Sequence, residues 1–253
     1  MGGHLRIVFL TANDPIYLPA FFESVLEERG RDTQAVYVVP PLYKDQTTLK
    51  AAVRYVRTFG IEGLTGLASR LLRAKLRGRS VEGVCRRGAV QCEEANDVNA
   101  DGFLQELRAL DPDVIVSVSC PQIFRKPLID LPRRGILNIH GAILPQYRGV
   151  MPSFWMLANG EERAGVSIYF VNEQIDAGDL CGQRVFEIRP DDTLDGFLRR
   201  SKAVAAKLLL EVLEQMERGA LGRTPLDLSD GSYYSWPDRR AVKRFRAAGR
   251  RLW

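Results

Sequence analysis

The sequence has few of the residues on which several classes of site depend. Its 253 residues include only two histidines, His4 and His140, and four cysteines, none in a Cys-x-x-Cys spacing. A structural zinc site needs four clustered Cys or His ligands, so this pattern argues against a metal centre. No secretion signal precedes the cysteines, and we expect reduced thiols. A reaction that needs an imidazole away from the start of the chain must use His140.

Long hydrophobic runs are also lacking. The longest apolar run near the N-terminus, residues 7–10, is too short for a signal peptide or a membrane span. Hydrophobic residues make up 45% and charged residues 26% of the chain, which is typical of globular domains and excludes disordered and collagen-like classes. The length fits one large domain with a small appendage. We expect a cytoplasmic protein with no membrane partner.

The net charge of +5 is unevenly distributed. Residues 54–87 and residues 239–251 each carry a net charge of +7. Such segregation attracts polyanions such as phosphate, nucleic acid or lipid headgroups. It is equally typical of a solvated helix face and a basic tail. The sequence leaves both interpretations open.

Apolar stretches alternate along the chain with segments of helical spacing, which is typical of a parallel α/β sheet. Strands are predicted at residues 5–10, 34–39, 89–91, 114–118, 135–140, 164–171 and 180–188. Helices are predicted at residues 16–28, 100–110 and 193–218, and two more, joined by a glycine-containing bend, within 47–77. The remainder of residues 78–97 is expected to be irregular. We therefore predict a Rossmann-like, mostly parallel sheet with flanking helices over residues 1–218, and a short loop-rich C-terminal extension over 219–253.

The extension contains an aromatic cluster at residues 233–237 ahead of the basic end. Exposed apolar patches often mark interfaces, and this cluster is hard to bury on one small domain. We therefore expect a homodimer. The same aromatic side chains also fit a role in packing the extension onto its own core.

A small set of polar residues lies where such a sheet binds ligands. Asn138 and His140 are at the carboxyl end of a predicted strand, and strand alternation places both side chains on one face. Asp176 follows about 36 residues after His140 in a glycine-containing loop. Taken singly, each residue also fits a structural role as a satisfied histidine, a turn cap or a turn residue. Together they supply an oxyanion donor, a proton shuttle and an orienting carboxylate.

Residues 135–179 closely resemble the folate-dependent formyltransferase family, and the resemblance spans residues 5–217 and is strongest over 111–198. The family's hallmarks are Asn-x-His, a Leu-Pro-x-Tyr-Arg-Gly loop, a downstream Pro and Trp, and an Asp-x-Gly-Asp turn. Here they read Asn138-Ile-His140, residues 144–149, Pro152 with Trp155, and residues 176–179. The resemblance implies formyl transfer from the co-substrate N10-formyltetrahydrofolate to a primary amine, and the scarcity of possible ligands predicts that no metal is needed. It further implies that Asn138 and His140 bind the oxyanion and that Asp176 orients His140 and moves protons.

The resemblance also implies which loops bind the two substrates. The family places the pterin between two loops, and this assigns cofactor binding to Cys120, Gln122, Ile123, Phe124, Asn172 and Ile175. We further expect the amine acceptor to contact Asn13 and, in the loop at residues 144–149 that can wall a pocket, Tyr147, Arg148 and Gly149. Recognition of the pterin relies largely on backbone groups, so side-chain identity there is a loose guide.

Two departures from the family's patterns bear on the acceptor. The turn at residues 11–15 lacks the glycines that let backbone N–H groups approach a phosphate, as in glycinamide ribonucleotide formyltransferase. About 35 residues follow Gly219, so we do not expect the barrel domain of methionyl-tRNA formyltransferases. We predict a nucleotide-linked amino sugar as the acceptor, with Arg148 as cationic anchor and Tyr233, Tyr234 and Trp236 as an apolar shelf. The alternatives are methionyl-tRNA held by the basic segments, another small amine, or a non-catalytic module that binds folate or a nucleotide.

Overall fold

The computed structural model describes residues 4–40 and 48–253. Its strands are β1 (Ile7–Thr11), β2 (Thr33–Val38), β3 (Gln91–Glu94), β4 (Val114–Val118), β5 (Ile136–His140), β6 (Arg148–Gly149), β7 (Arg163–Phe170), β8 (Leu180–Glu187) and β9 (Tyr233–Tyr234). Seven of them form one sheet in the order β3-β2-β1-β4-β5-β7-β8. The first five are parallel, and β7 and β8 join antiparallel. This arrangement confirms the predicted Rossmann-like, mostly parallel α/β fold.

The helices flank this sheet. They are α1 (Leu18–Arg29), α2 (Thr48–Leu76), α3 (Val81–Arg87), α4 (Asp101–Leu110), α5 (Lys126–Ile129), α6 (Pro152–Ala158), α7 (Leu194–Glu217) and α8 (Arg239–Ala247). None of the helices in the described part of the chain is long and apolar enough to cross a membrane. Residues 1–3 and 41–47, which include the predicted start of a helix at residue 47, lie outside the described residues.

Both faces of the central strands are buried. In β1, Phe9 packs in a cluster with residues of α1 and α7, whereas Leu10 packs in a separate cluster with residues of α4. Successive side chains of a strand point to opposite faces, so a sheet covered by helices on both sides needs apolar residues at every position. The continuous apolar runs that predicted these strands have this cause.

The helical stretch after β2 is broken at Gly60, whose φ of +77° is not helical. This confirms the predicted pair of helices joined at a glycine. The expectation of irregular structure over residues 78–97 is wrong in part, because α3 forms there. Ser80 caps it by accepting a hydrogen bond from the Gly83 backbone N–H, and Cys85 is buried beneath it. The strand that follows, β3, begins two residues later than predicted.

The basic end of the chain is a helix, not the loop-rich tail that the sequence analysis expected. Asp238 caps α8 by accepting a hydrogen bond from the Ala241 backbone N–H. The helix buries Ala241, Val242 and Phe245, and the Phe245 ring stacks on Phe154 of α6 with ring centroids 5.0 Å apart. Only three apolar residues define this face, which is too few for a clear periodic signal among the five basic residues of the helix.

The aromatic cluster of the extension packs onto the same chain. Tyr234 stacks on Tyr147 with centroids 5.1 Å apart, and Trp236 meets Phe59 edge-on at 6.1 Å. Tyr233 remains 54% exposed. Intramolecular packing thus accounts for most of the cluster, and the homodimer stays a prediction.

The carboxyl ends of β1, β4 and β5 meet at one edge of the sheet. The Thr11 hydroxyl donates a 2.9 Å hydrogen bond to the Val118 carbonyl and so ties the ends of β1 and β4 together. The loops that leave these strands therefore converge on the edge where open α/β sheets bind ligands.

Candidate active site

The three predicted catalytic residues lie together around one tyrosine. The Asn138 side-chain amide donates to the Tyr169 hydroxyl at 2.9 Å, and that hydroxyl donates to Oδ1 of Asp176 at 2.8 Å. The same Asp176 oxygen lies 3.6 Å from Nδ1 of His140. His140 and Asp176 are 6% and 9% exposed. The four side chains form one connected and largely buried polar network.

The His140 ring is oriented from both sides. Its Nε2 lies 2.7 Å from the Tyr147 carbonyl oxygen. A carbonyl only accepts hydrogen bonds, so Nε2 carries a hydrogen and donates it. In the neutral ring Nδ1 then carries no hydrogen, and it faces Asp176. The 3.6 Å gap between His140 Nδ1 and Asp176 Oδ1 therefore brings an imidazole nitrogen and a carboxylate oxygen close together.

Asp176 is held by the backbone as well as by Tyr169. Its Oδ2 accepts a 2.7 Å hydrogen bond from the Gly149 N–H. The residue adopts a φ of +49°, a left-handed conformation that Asp and Asn tolerate better than most residues. The loop between β7 and β8, which contains Asp176, is thereby joined to the loop at residues 144–149, so the two sequence motifs meet in space.

Tyr169 is a site residue that the sequence analysis missed. It lies on β7 directly opposite Asn138 in the antiparallel pairing with β5. Burial and the neighbouring Asp176 raise the pKa of the Tyr169 hydroxyl, so it stays protonated and acts as a donor to the carboxylate. Only the register between β5 and β7 could have revealed it, because its position in an apolar strand is unremarkable.

The predicted acceptor residues of the loop at residues 144–149 contribute in different ways. The Tyr147 side chain points away from the network and is hydrogen-bonded to Glu161, while its carbonyl orients His140. Arg148 is half-buried, and its buried Nε has no hydrogen-bond partner in the described part of the protein. Gly149 supplies the N–H that holds Asp176. Arg148 is thus the predicted acceptor residue of this loop whose side chain keeps a polar atom without a partner among the described residues.

The predicted pterin loop after β4 is held by its own side chains. The Gln122 amide accepts from the Val98 N–H and donates to the carbonyls of Pro40 and Asn96, and Phe124 is buried in the core. Both side chains are therefore committed to structure. A ligand at this loop would meet backbone groups and the 67% exposed side chain of Ile123.

The remaining predicted cofactor residues lie at the edges of these loops. Burial raises the pKa of the Cys120 thiol to about 11, so it is protonated at neutral pH and unsuited to act as a nucleophile. The Asn172 side chain accepts a hydrogen bond from the Gln174 N–H within the loop between β7 and β8. Ile175, next to Asp176, is 46% exposed. The exposed apolar side chain of Ile175 lies beside the network and can pack against a flat aromatic ligand.

The loop after β1 contains Asn13, which is exposed, and Asp14, which accepts hydrogen bonds from the N–H groups of Ile16 and Tyr17. Lys202 of α7 reaches the same edge and donates to the Ser119 hydroxyl at 2.8 Å. Burial lowers the pKa of Lys202 to about 8, although Asp14 opposes this effect. Within the described ranges, no carboxylate lies within 4.0 Å of its ammonium group. The sequence analysis predicted a helix over residues 193–218 but missed this lysine.

One group of possible metal ligands occurs among the described residues, and it lies elsewhere. His4, Asp32 and Glu217 cluster where β2 begins, at the opposite edge of the sheet. The Arg29 guanidinium bonds to both carboxylates there, at 3.1 and 2.7 Å, and so supplies the positive charge that a metal would bring. The predicted independence from metal stays a prediction.

Comparisons with known proteins place this geometry in context. A family model described as "Formyl transferase" matches residues 6–213. The methionyl-tRNA formyltransferase of Thermotoga neapolitana is 31% identical over 186 residues, which cover 72% of this chain and 59% of that protein. The chain spans about half the length of the curated relatives that it matches.

Solved structures show the same fold at low identity. Glycinamide ribonucleotide transformylase 1 from Symbiobacterium toebii superposes with a TM-score of 0.63 at 18% identity, covering 89% of this chain and 96% of that one. An N-formyltransferase from Helicobacter canadensis, in complex with folinic acid and dTDP-3-aminofucose, gives a TM-score of 0.61 at 15% identity and covers 91% and 71%. At these identities the likeness establishes the fold alone.

Proposed function

Because the chain belongs to the formyl transferase family, we propose that it transfers a formyl group from N10-formyltetrahydrofolate to the primary amine of a nucleotide-linked amino sugar. The observation that carries the proposal is the network of Asn138, Tyr169, Asp176 and His140 at the carboxyl edge of the sheet. It provides a donor for a developing oxyanion next to a pair of groups that exchange a proton.

The proposed reaction uses each of these groups. The amine nitrogen attacks the formyl carbon, and a tetrahedral intermediate with an anionic oxygen forms. Asn138 gives one amide hydrogen to Tyr169 and has a second for this oxyanion. The ammonium proton passes to the pair of His140 and Asp176 and then to N10 of the folate as the bond from carbon to N10 breaks. The new amide bond forms with no net change in protons on the enzyme.

The assignment of the two domains follows the same proposal. Residues 1–218 would form the catalytic domain, and residues 219–253 an extension that shapes the acceptor site. The pairing of β9 with β6 supports this role, because it places the extension against the loop that contains Arg148 and Gly149. Tyr233, exposed at this pairing, and Arg148 are the candidates for a shelf and a cationic anchor.

Two findings bear on the acceptor. The Helicobacter canadensis enzyme was crystallised with a nucleotide-linked amino sugar, which favours an acceptor of that class. The names of the curated relatives favour methionyl-tRNA as a second candidate. Binding of tRNA depends steeply on salt between about 50 and 200 mM because phosphate contacts release counterions. Under the proposal, kcat/KM for amino-sugar nucleotides exceeds that for charged initiator tRNA. Its salt dependence should be shallow, because a nucleotide sugar makes only a few phosphate contacts.

The histidines offer a matched test of the mechanism. His140→Ala should lower kcat by at least ~10²-fold, since a general acid–base group contributes about 10²–10⁴ in rate. Asn138→Ala should lower it by ~10²–10³-fold, as expected for an oxyanion donor. His4→Ala is the control, because His4 is exposed at the opposite edge of the sheet. The assay measures tetrahydrofolate release and product mass over a panel of amines.

The outcomes separate the candidates. A near wild-type kcat in His140→Ala contradicts the mechanism, and a preference for tRNA or for an amine without a nucleotide contradicts the acceptor. Folate binding without turnover of any amine indicates the non-catalytic module instead.

A further inference from the structure

A basic cleft adjoins the loop after β1. It has a volume of about 190 Å³ and opens between the C-terminal half of α2, the first turns of α7 and the loop after β1. Five arginines and one carboxylate line it, namely Arg70, Arg73, Arg77, Arg79, Arg199 and Asp195. Most of these arginines belong to the basic segment over residues 54–87, for which the sequence alone offered two interpretations.

The charges of the cleft are not balanced. Asp195 lies 3.3 Å from the Arg70 Nε and 3.2 Å from the Arg199 Nε, and it accepts a hydrogen bond from the Tyr17 hydroxyl. Although burial opposes it, these contacts lower the pKa of Asp195 and keep it ionised. Its single charge is thus shared by two guanidinium groups.

The other three arginines have no such partner. Across residues 4–40 and 48–253, no carboxylate oxygen lies within 4.0 Å of the guanidinium groups of Arg73, Arg77 or Arg79. Like charges that converge on one cleft repel each other, and an anion placed between them relieves this repulsion. Guanidinium groups bind phosphate oxygens with two parallel hydrogen bonds, which makes arginine well suited to phosphate recognition.

The cleft is continuous with the edge where the proposed reaction takes place. Pro15 and Ile16 line it, and they follow directly after Asn13 and Asp14 in the loop after β1. On α7, Lys202 lies one helical turn beyond Arg199 and reaches Ser119 at the end of β4. Positive groups on α7 therefore extend from Arg199 in the cleft to Lys202 at the end of β4.

The size of the cleft restricts what it holds. Sites for whole small molecules typically measure about 300–1,000 Å³, and this cleft measures about 190 Å³. It is therefore large enough for one or two phosphate groups but not for a complete nucleotide sugar. We propose that the arginine cleft is a subsite for the linked phosphates of the amine acceptor. This inference rests on the proposed function and adds the residues that would recognise the acceptor.

Inorganic pyrophosphate is the probe for this subsite, because its binding does not require turnover. Calorimetric titration of the full chain should show binding, and Arg73→Gln combined with Arg77→Gln should weaken it by ~10-fold or more. Both side chains are exposed, so the double variant should fold. The control combines Arg108→Gln with Arg163→Gln, two exposed arginines outside the cleft, and should change the affinity by less than ~2-fold.

Activity gives a second readout. In the Arg73→Gln, Arg77→Gln variant, KM for an amino-sugar nucleotide should rise ~10-fold while kcat is retained, because the reacting groups are untouched. If the double variant loses pyrophosphate binding, the anion site is supported. If in addition the original protein formylates no amine, only the proposed function fails. Equal pyrophosphate binding by the double variant and the control overturns the subsite. Binding of tRNA without binding of pyrophosphate also overturns it.

Discussion

Replacement of Asp176 by Asn changes one oxygen for an amide group at the centre of the proposed site. Asn tolerates the left-handed φ of +49° at this position, so the backbone of the loop should be retained. Its carbonyl oxygen can still accept from the Gly149 N–H, which the carboxylate does at 2.7 Å. The amide nitrogen then takes the place of Oδ1 and faces the Tyr169 hydroxyl and His140 Nδ1.

This substitution has two separable consequences. The Tyr169 hydroxyl loses its acceptor, and a buried donor without a partner costs about 1–3 kcal/mol of stability. The site also loses the base beside His140 Nδ1. A general base contributes about 10²–10⁴ in rate, which corresponds to about 3–5 kcal/mol of transition-state stabilisation. We therefore expect a folded protein of moderately lower stability whose kcat is lower by at least ~10²-fold.

The assay compares kcat and the free energy of unfolding of Asp176→Asn with those of Asp191→Asn. Asp191 is exposed before α7, so the control makes the same charge change away from the site. A change in KM for folate or acceptor of less than ~3-fold would locate the effect in the chemical step. If Asp176→Asn retains kcat within ~3-fold of the original chain, the proton-transfer role of this network is refuted.

Three further predictions test other parts of the structure. A Cβ at Gly149 would lie 2.2 Å from the Tyr234 carbonyl oxygen, so Gly149→Ala should lower the free energy of unfolding by more than ~2 kcal/mol. In denaturant unfolding, Gly160→Ala is the control, because Gly160 also has a positive φ but no atom within 4 Å of such a Cβ. The pKa of Lys202 falls from 10.5 to about 8 on folding, so the unfolded chain binds more protons between these values and stability should rise with pH there. Lys202→Met should abolish this rise and stabilise the protein at pH 7 by up to ~3 kcal/mol. Treatment with a chelator should leave formyl transfer intact, and activity lost and then restored by added metal would contradict this.

Much of the fold could be predicted because each central strand is buried on two faces. β1 and β4 consist almost entirely of apolar residues for that reason, and their pattern depends little on the rest of the structure. The common face of Asn138 and His140 could also be predicted, since strand alternation and the carboxyl edge of a parallel sheet are properties of the chain direction. Asp176 follows the antiparallel β7, so the resemblance to the family, and not the chain direction, indicated its place beside them.

Elements that depend on tertiary contacts could not be predicted. α3 and α8 are short helices with few apolar residues, and their burial against the core stabilises them more than their own periodicity does. Tyr169 and Lys202 join the site through a strand register and a helix rotation. Neither quantity is encoded in local spacing. The sequence therefore indicated Asn138, His140 and Asp176, but not Tyr169, which orients them, or Lys202, which adds a positive charge at the same edge.

The loop at residues 147–150 couples the extension to the network around His140 through consecutive backbone groups. The N–H groups of Tyr147, Arg148 and Val150 donate to Ser232 and Tyr234 of the extension. The N–H of Gly149, between them, donates to Asp176, and the Tyr147 carbonyl accepts from His140. Each peptide unit is planar, so N–H and C=O groups on adjacent units of this short loop move together. The position of the carboxylate beside His140 is therefore set partly by the extension, so changes there should alter kcat as well as acceptor affinity.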